Sequence, residues 1–363
     1  MSTPITLAID TSCDETSVAV TCGLEIWSSI VASQVELHKP YGGVFPTVAK
    51  QAHIENIAPS VALALKRARA TMADIDQIAV TVGPGLAPAL EVGIEHAQEL
   101  AKLHHIPLIP TNHIEGHIYS VLALQPSKQS LGLSIKDRQK TASARSRKRI
   151  DELKWPVLSL VVSGGHTQFI KVTKPKTKST NTKPKLERIP HLSIDTNSGY
   201  TILGQSIDDA AGEALDKIGR MINLGYPAGP VVEELAKQGD PKSYDWPLPM
   251  THEKNFNLSF SGLKTYSRNY LKKNWPNKPL NKQELENYSA SLQYAIFRHI
   301  CYKLNKLLKE KSFSEVWLGG GVAANITLRK MIRQTIKPFG LKLLTPQSKK
   351  LCGDNAGMIG ITV

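Results

Sequence analysis

Residues 5–32 read ITLAIDTSCDETSVAVTCGLEIWSSIVA. The run 5–10 is apolar and β-prone, the polar stretch Thr11-Ser12-Cys13-Asp14-Glu15 turns the chain, 16–21 forms a second strand, and past Gly23 a third runs from 24 to 32. The same phrase returns later in the chain. Residues 157–162 are an apolar strand, Ser163-Gly164-Gly165-His166 is the turn, 167–173 the second strand and 200–205 the third. A repeat of this size predicts two related domains facing each other.

Each half continues as alternating helix and strand. In the first, an amphipathic helix is expected over 47–70, a strand over 75–82, a helix over 88–104 after Gly83-Pro84-Gly85, and a short strand over 107–110. In the second, helices are expected near 207–222, 228–238 and 283–311, with a strand at Val316-Trp317-Leu318 running into Gly319-Gly320-Gly321 and a further helix. Strand-rich openings followed by αβαβ predict an α/β protein of two ribonuclease-H-like domains with a cleft between them. The expected boundaries are 1–125 for the first, 126–154 for a basic insertion and 155–363 for the second, which carries another basic insertion at 171–189.

Composition narrows the setting. A chain of 363 residues with 41% hydrophobic residues can bury a sizeable core. No apolar run reaches bilayer length, so no membrane association is expected. The start of the chain has no basic segment leading into an apolar one, and Cys13, Cys22, Cys301 and Cys352 form neither a CxxC pair nor a disulfide framework, which points to the cytoplasm. The net charge of +14 is localised. Residues 126–154 hold nine Lys or Arg against three acids, and 171–189 hold seven against Glu187 alone, a net of +6 in each. Such segments bury little apolar surface by themselves; they are either solvated loops or arms that reach for phosphates.

The stretch Asn112-His113-Ile114-Glu115-Gly116-His117 sets two histidines four residues apart. On a helix they share a face and can reach one metal ion, although a pair at this spacing is more often structural. A carboxylate in Cys352-Gly353-Asp354-Asn355 supplies a third donor type. Two imidazoles and a carboxylate suit Zn²⁺ or Fe²⁺ and leave coordination positions open. A zinc peptidase would need His-Glu-x-x-His or its inverse, and His-Ile-Glu-Gly-His fits neither.

Other stretches suit a nucleotide. Ser163-Gly164-Gly165 and Gly319-Gly320-Gly321 are glycine turns directly after strands, where backbone N–H groups can meet phosphates. They match neither a Walker A loop nor a Rossmann fingerprint. In Ser206-Ile207-Asp208-Asp209-Ala210-Ala211-Gly212-Glu213-Ala214-Leu215-Asp216-Lys217, Asp208 or Asp209 can cap a helix, whereas Asp216 is suited to a ribose. Gly225-Tyr226-Pro227-Ala228-Gly229-Pro230 forms a rigid turn into a helix, with Glu233 one turn in.

Taken in order, residues 11–16, the 83–85 turn, His113 to His117, 163–168, 208–217, 226–230, Phe260-Ser261-Gly262-Leu263-Lys264-Thr265, 319–325 and Asp354-Asn355 resemble the universal tRNA threonylcarbamoyladenosine transferase family, once labelled O-sialoglycoprotein endopeptidases. The resemblance covers nearly all of the chain outside the insertions. It implies an actin/Hsp70/sugar-kinase (ASKHA) fold and transfer of threonylcarbamoyl from threonylcarbamoyl-AMP to N6 of the adenosine 3′ of the anticodon, in tRNAs reading codons that begin with A. By motif, His113, His117 and Asp354 would hold one Fe²⁺ or Zn²⁺ ion. Val161, Val162, Ser163, Gly164 and Gly165 would lie along the adenylate, with Asp216, Gly229, Glu233 and Asn325 around its base and ribose. Asp14 and Glu15 match acidic positions near the reacting centre. The implied partners are tRNA and, for a bacterial member, a paralogous subunit and a small ATPase. The family pattern also sets a further helix beyond Val363, and it words the 85–91 turn differently. Rival readings are a tRNA- or nucleotide-binding subunit without catalysis, a kinase on the same fold, and a metallopeptidase.

Overall fold

A computed structural model describes residues 3–127, 129–174, 199–276 and 278–363. Most of the 171–189 insertion therefore lies outside the described residues. The first sheet comprises β1 (Ile5–Asp10), β2 (Glu15–Cys22), β3 (Glu25–Ser33), β4 (Gln77–Gly83) and β5 (Leu108–Asn112), in the order β3-β2-β1-β4-β5. β1 pairs antiparallel with β2 and parallel with β4. The second sheet has β6 (Val157–Val162), β7 (Thr167–Val172), β8 (Tyr200–Gln205), β9 (Glu315–Gly319) and β10 (Lys342–Leu344), in the order β10-β9-β6-β7-β8. β6 takes the place of β1, antiparallel to β7 and parallel to β9. The duplication read from the two strand–turn–strand phrases is thus a duplication of sheet topology.

The central strands are buried on both faces: every residue of β1 and of β6 is buried. That explains their continuous apolar runs. In the first half, α1 (Val35–His38), α2 (Pro46–Ala68) and α3 (Ala87–His104) follow the sheet, with α2 and α3 covering one face. α4 (His113–Tyr119) leaves β5 directly and packs against β6 and β9, which sets it between the two sheets. In the second half, α6 (Ala211–Met221), α7 (Ala228–Leu235), α8 (Ser261–Asn274), α9 (Lys282–Glu310) and α10 (Ile326–Ile336) surround a core built on Leu158, Leu160, Phe169, Tyr288, Phe297 and Leu318. The last helix, α11 (Ala356–Gly360), returns to the first sheet, where Ala356, Met358 and Ile359 pack on Ala8, Ala19 and Ala79.

Part of the 126–154 segment folds as a helix, α5 (Ile135–Asp151), and not as a loop. Polar contacts dock it at the end of the first sheet remote from Asp10. Arg138 is 3% exposed, donates to Ala68 O at 2.7 Å and lies 4.1 Å from the centre of the Trp27 ring. Ser146 Oγ accepts from Leu24 N at 2.9 Å, Ser143 Oγ from Thr3 N at 3.1 Å, and Arg145 pairs with the buried Glu25. Buried polar groups that find partners in this way substitute for an apolar helix face.

Candidate metal centre

α4 begins at His113 because Asn112 caps it: the Asn112 side-chain oxygen accepts from Ile114 N at 2.8 Å and Glu115 N at 3.4 Å. One helical turn then brings His113 and His117 to the same face, with ring centroids 4.7 Å apart and planes at 80°. Asp354 arrives from the far end of the chain and is held by α11. Asn355 caps that helix by accepting from Met358 N at 3.0 Å, and Ser17 Oγ on β2 accepts from Ala356 N at 2.8 Å. Two glycines allow the approach. A Cβ on Gly116 would meet Ile359 Cδ1 and Met358 Cγ at 2.9 Å, and a Cβ on Gly319 would meet His117 O at 2.2 Å. The close packing of β9 under α4 therefore requires a glycine at 319.

Asp354 Oδ1 lies 3.5 Å from His113 Nε2 and 3.2 Å from His117 Nε2, and donor atoms of all three residues lie within 4.8 Å of one another. Tetrahedral ligands about 2.1 Å from a metal are separated by about 3.4 Å. His113 and His117 are 4% and 0% exposed, and both nitrogens of His117 are buried without a hydrogen-bond partner. Buried, unpaired imidazole nitrogens facing a carboxylate oxygen fit a cation better than they fit one another. No other group of three such side chains is found among the described residues.

Asp10, which sequence reasoning missed, stands behind His113. Its Oδ2 faces His113 Nδ1 at 3.6 Å, and both atoms are buried without hydrogen bonds. Nothing in the local sequence links the last residue of a strand to a distant helix; only the β1–β4–β5 order brings the two together. The electrostatics favour positive charge here. Burial alone would lower the His113 pKa, but Asp354 and Asp10 raise it to about 10. Burial would likewise raise the Asp354 pKa, and the two histidines instead pull it well below the usual carboxylate value. His166, at 6.4 Å from His113 between ring centroids, falls to about 4 through burial and the charges of His113 and His117.

Glu15 opens β2 and, with Gly353 and Asp354, lines one end of a cleft of about 1160 Å³. Burial, followed by Asp14 and Asp354, pushes its carboxyl up to about 10. Asp14 adjoins it, and its carbonyl accepts from Gln34 N at 2.9 Å. On the second sheet, Val161 and Val162 are buried at the end of β6, and the 163–166 turn is self-tied, with Ser163 N donating to His166 O at 2.8 Å. Gly164 and Gly165 are exposed with open space above them. The turn meets the start of α6 where Gly212 N donates to Ser163 O at 3.2 Å.

The other four expected nucleotide contacts form a second set across α6, α7 and α10. Asp216 Oδ1 accepts from Gly229 N at 2.6 Å, Glu233 Oε1 from Ile326 N at 3.4 Å, and Asn325 donates to Gln293 Oε1 at 2.6 Å while capping α10. Each thus has a structural partner in addition to any ligand. Asp208 and Asp209 do not cap the helix that follows them. Asp208 accepts from Phe260 N at 2.8 Å and Ser261 Oγ at 2.6 Å at the start of α8, and Asp209 pairs with Lys217 and Lys264 at 2.6 and 3.0 Å. For that reason α6 begins at Ala211, four residues later than its periodicity predicts.

A family model for tRNA N6-adenosine threonylcarbamoyltransferase matches residues 25–136 and 191–361. Curated proteins of that name resemble the chain over almost its full length. One from Clostridioides difficile is 40% identical, covering 99% of this chain and 92% of the relative. Another, from Thermosipho melanesiensis, is 38% identical over 98% and 93%. Among solved structures, HypF from T. kodakarensis aligns with a TM-score of 0.53 at 14% identity, over 99% of this chain and 46% of that one. The activator of the 2-hydroxyisocaproyl-CoA dehydratase from Clostridium difficile aligns at 0.51 and 13%, over 99% and 93%. At such identities these two neighbours speak for the ASKHA fold alone.

Proposed function

The chain belongs to the tRNA N6-adenosine threonylcarbamoyltransferase family, and we propose that it forms threonylcarbamoyladenosine in tRNA with one metal ion held by His113, His117 and Asp354. The observation that carries this reading is the convergence of those three donors from two widely separated stretches of the chain, 113–117 and 354. Iron or zinc bound there would supply Lewis acidity and a fixed point for the donor's oxygens.

The chain's own residues take the remaining tasks. Asp10 would hold a proton on His113 Nδ1 and leave Nε2 free to ligate. The open backbone of Gly164 and Gly165 would receive the phosphate of threonylcarbamoyl-AMP beside Val161, Val162 and Ser163. Asp216, Gly229, Glu233 and Asn325 would surround the adenosine. The acceptor is N6 of the adenosine 3′ of the anticodon, in tRNAs reading codons that begin with A. Its nitrogen forms a bond to the carbamoyl carbon as the carbon–oxygen bond to the phosphate breaks, and AMP leaves with the electron pair. The N6 proton must go to a base, and Asp14 is the group we assign. Glu15, whose carboxyl is pushed up first by burial and then by Asp14 and Asp354, would donate a hydrogen bond to the carbamoyl oxygen. The setting is cytoplasmic, with a paralogous subunit and a small ATPase as partners; no helix among the described residues is long and apolar enough to cross a membrane.

Metal analysis tests the reading. Purified protein should carry one equivalent of iron or zinc, and His117→Ala and Asp354→Ala should each lose it together with product formation. Full activity in a metal-free variant would contradict the assignment.

A further inference from the structure

In α5, Arg138 and Arg145 are committed to the first sheet, and Asp137, Asp151 and Glu152 offset much of what remains. A different stretch leaves its charge free. Between Ile326 and Gly353 lie Arg329, Lys330, Arg333, Lys337, Lys342, Lys349 and Lys350, with no Asp or Glu. Arg329 is tied to Ala323 O and Cys352 Sγ. The other six are exposed, and none has an ion-pair partner among the described residues. Such a run is usually no more than a solvated face; its placement here is what argues for more.

Two grooves carry five of these six cations, all but Lys330. One, of about 590 Å³, lies between the end of α10 and β10 and is lined by Arg333, Lys337 and Lys342. The other is the cleft of about 1160 Å³ already described. Lys349, Lys350 and Arg67 line it, and it reaches Glu15, Gly353 and Asp354. The chain passes from β10, which ends at Leu344, to Lys349 in five residues, so the same segment supplies cations to both grooves. Apart from Arg67, Lys349 and Lys350, no Lys or Arg among the described residues lines the second groove, and Glu15, Gly353 and Asp354 add no further cation to it. That pattern suits a polyanion whose backbone meets the cations while an uncharged group reaches Asp354.

We propose that the two grooves form one track for the phosphate backbone of RNA, leading the strand that carries the reacting adenosine to Asp354 and Glu15. This rests on tRNA being the acceptor. An acidic protein would satisfy the same cations, but it offers no reason for the groove to reach Asp354, where the acceptor adenosine has to arrive.

The test is tRNA binding as a function of salt. Each phosphate contact contributes about 0.7–0.9 to the slope of log affinity against log salt. A variant with Arg333, Lys337, Lys342, Lys349 and Lys350 all changed to Gln should lose about 4 from that slope and at least tenfold in affinity, with its metal content unchanged. A control with Arg268, Lys272, Lys273 and Lys278 of the α8 region changed to Gln, which removes exposed cations elsewhere, should stay within about one unit of wild type. An unchanged slope in the first variant, or an equal loss in the control, overturns the track and leaves the transferase reading standing. A first variant that binds tRNA normally but loses polyglutamate would assign the grooves to an acidic protein instead. Wild-type protein that binds no tRNA would overturn the acceptor assignment and the track with it.

Discussion

A buried carboxylate oxygen without a hydrogen bond is costly unless a neighbour uses it. Asp10 is 1% exposed, and its Oδ2 is unpaired opposite His113 Nδ1. If it orients that imidazole for a metal, Asp10→Asn should weaken metal affinity about ten- to hundredfold in chelator competition. The melting temperature of the metal-free protein should not fall; a variant that melts earlier but keeps its metal affinity would make Asp10 merely structural. Asp208 is the opposite case, a carboxylate fully used. Burial would raise its pKa, but hydrogen bonds from Ser259, Ser261 and Phe260 lower it. A depressed carboxylate stabilises the fold above its unfolded pKa of about 3.9, and that stability disappears as pH falls through the lower folded value. Asp208→Ala should therefore cost about 1 kcal/mol at pH 7, as a lost helix cap does. In denaturant titrations the difference from wild type should shrink below about pH 4; a difference that stays constant to pH 2 would contradict the ionised-cap account.

At the scale of elements, the metal centre depends on how closely α4, α11 and β9 pack. Gly319→Ala puts a methyl 2.2 Å from His117 O, so α4 must move. The expected loss is about 1–3 kcal/mol in chemical denaturation, with weaker metal binding. Gly321→Ala, which meets nothing within 4 Å, should be close to neutral in both; equal effects at the two positions would separate the packing from the site. α5 gives the second element-scale prediction. Its docking relies on Arg138, through the bond to Ala68 O and the Trp27 ring. Arg138→Ala should cost about 2 kcal/mol and raise the proteolytic sensitivity of 135–151, whereas Lys136→Ala, exposed on the same helix, should do neither.

For the whole molecule, the parts legible in the sequence are those set by local pattern. The continuous apolar runs of β1 and β6, each followed by a tight turn and a second strand, announced two sheets of one topology. The His113–His117 spacing announced a shared helix face, and the family motifs pointed to Asp354. Long-range contacts were not legible. α5 has too few apolar residues to declare a buried face, because arginine and serine hydrogen bonds dock it. β10 is only three residues long, and Asp10 meets His113 only through strand order. The remaining question is whether this arrangement performs the transfer. The most direct measurement gives purified protein tRNA and threonylcarbamoyl-AMP, with and without bacterial partner subunits, alongside His113→Ala. Threonylcarbamoyladenosine made by the wild type and reduced at least a hundredfold in the metal-free variant is the predicted result (about 2.7 kcal/mol of barrier). No product under any partner combination, with tRNA and nucleotide still bound, would contradict the account and leave a binding subunit in its place.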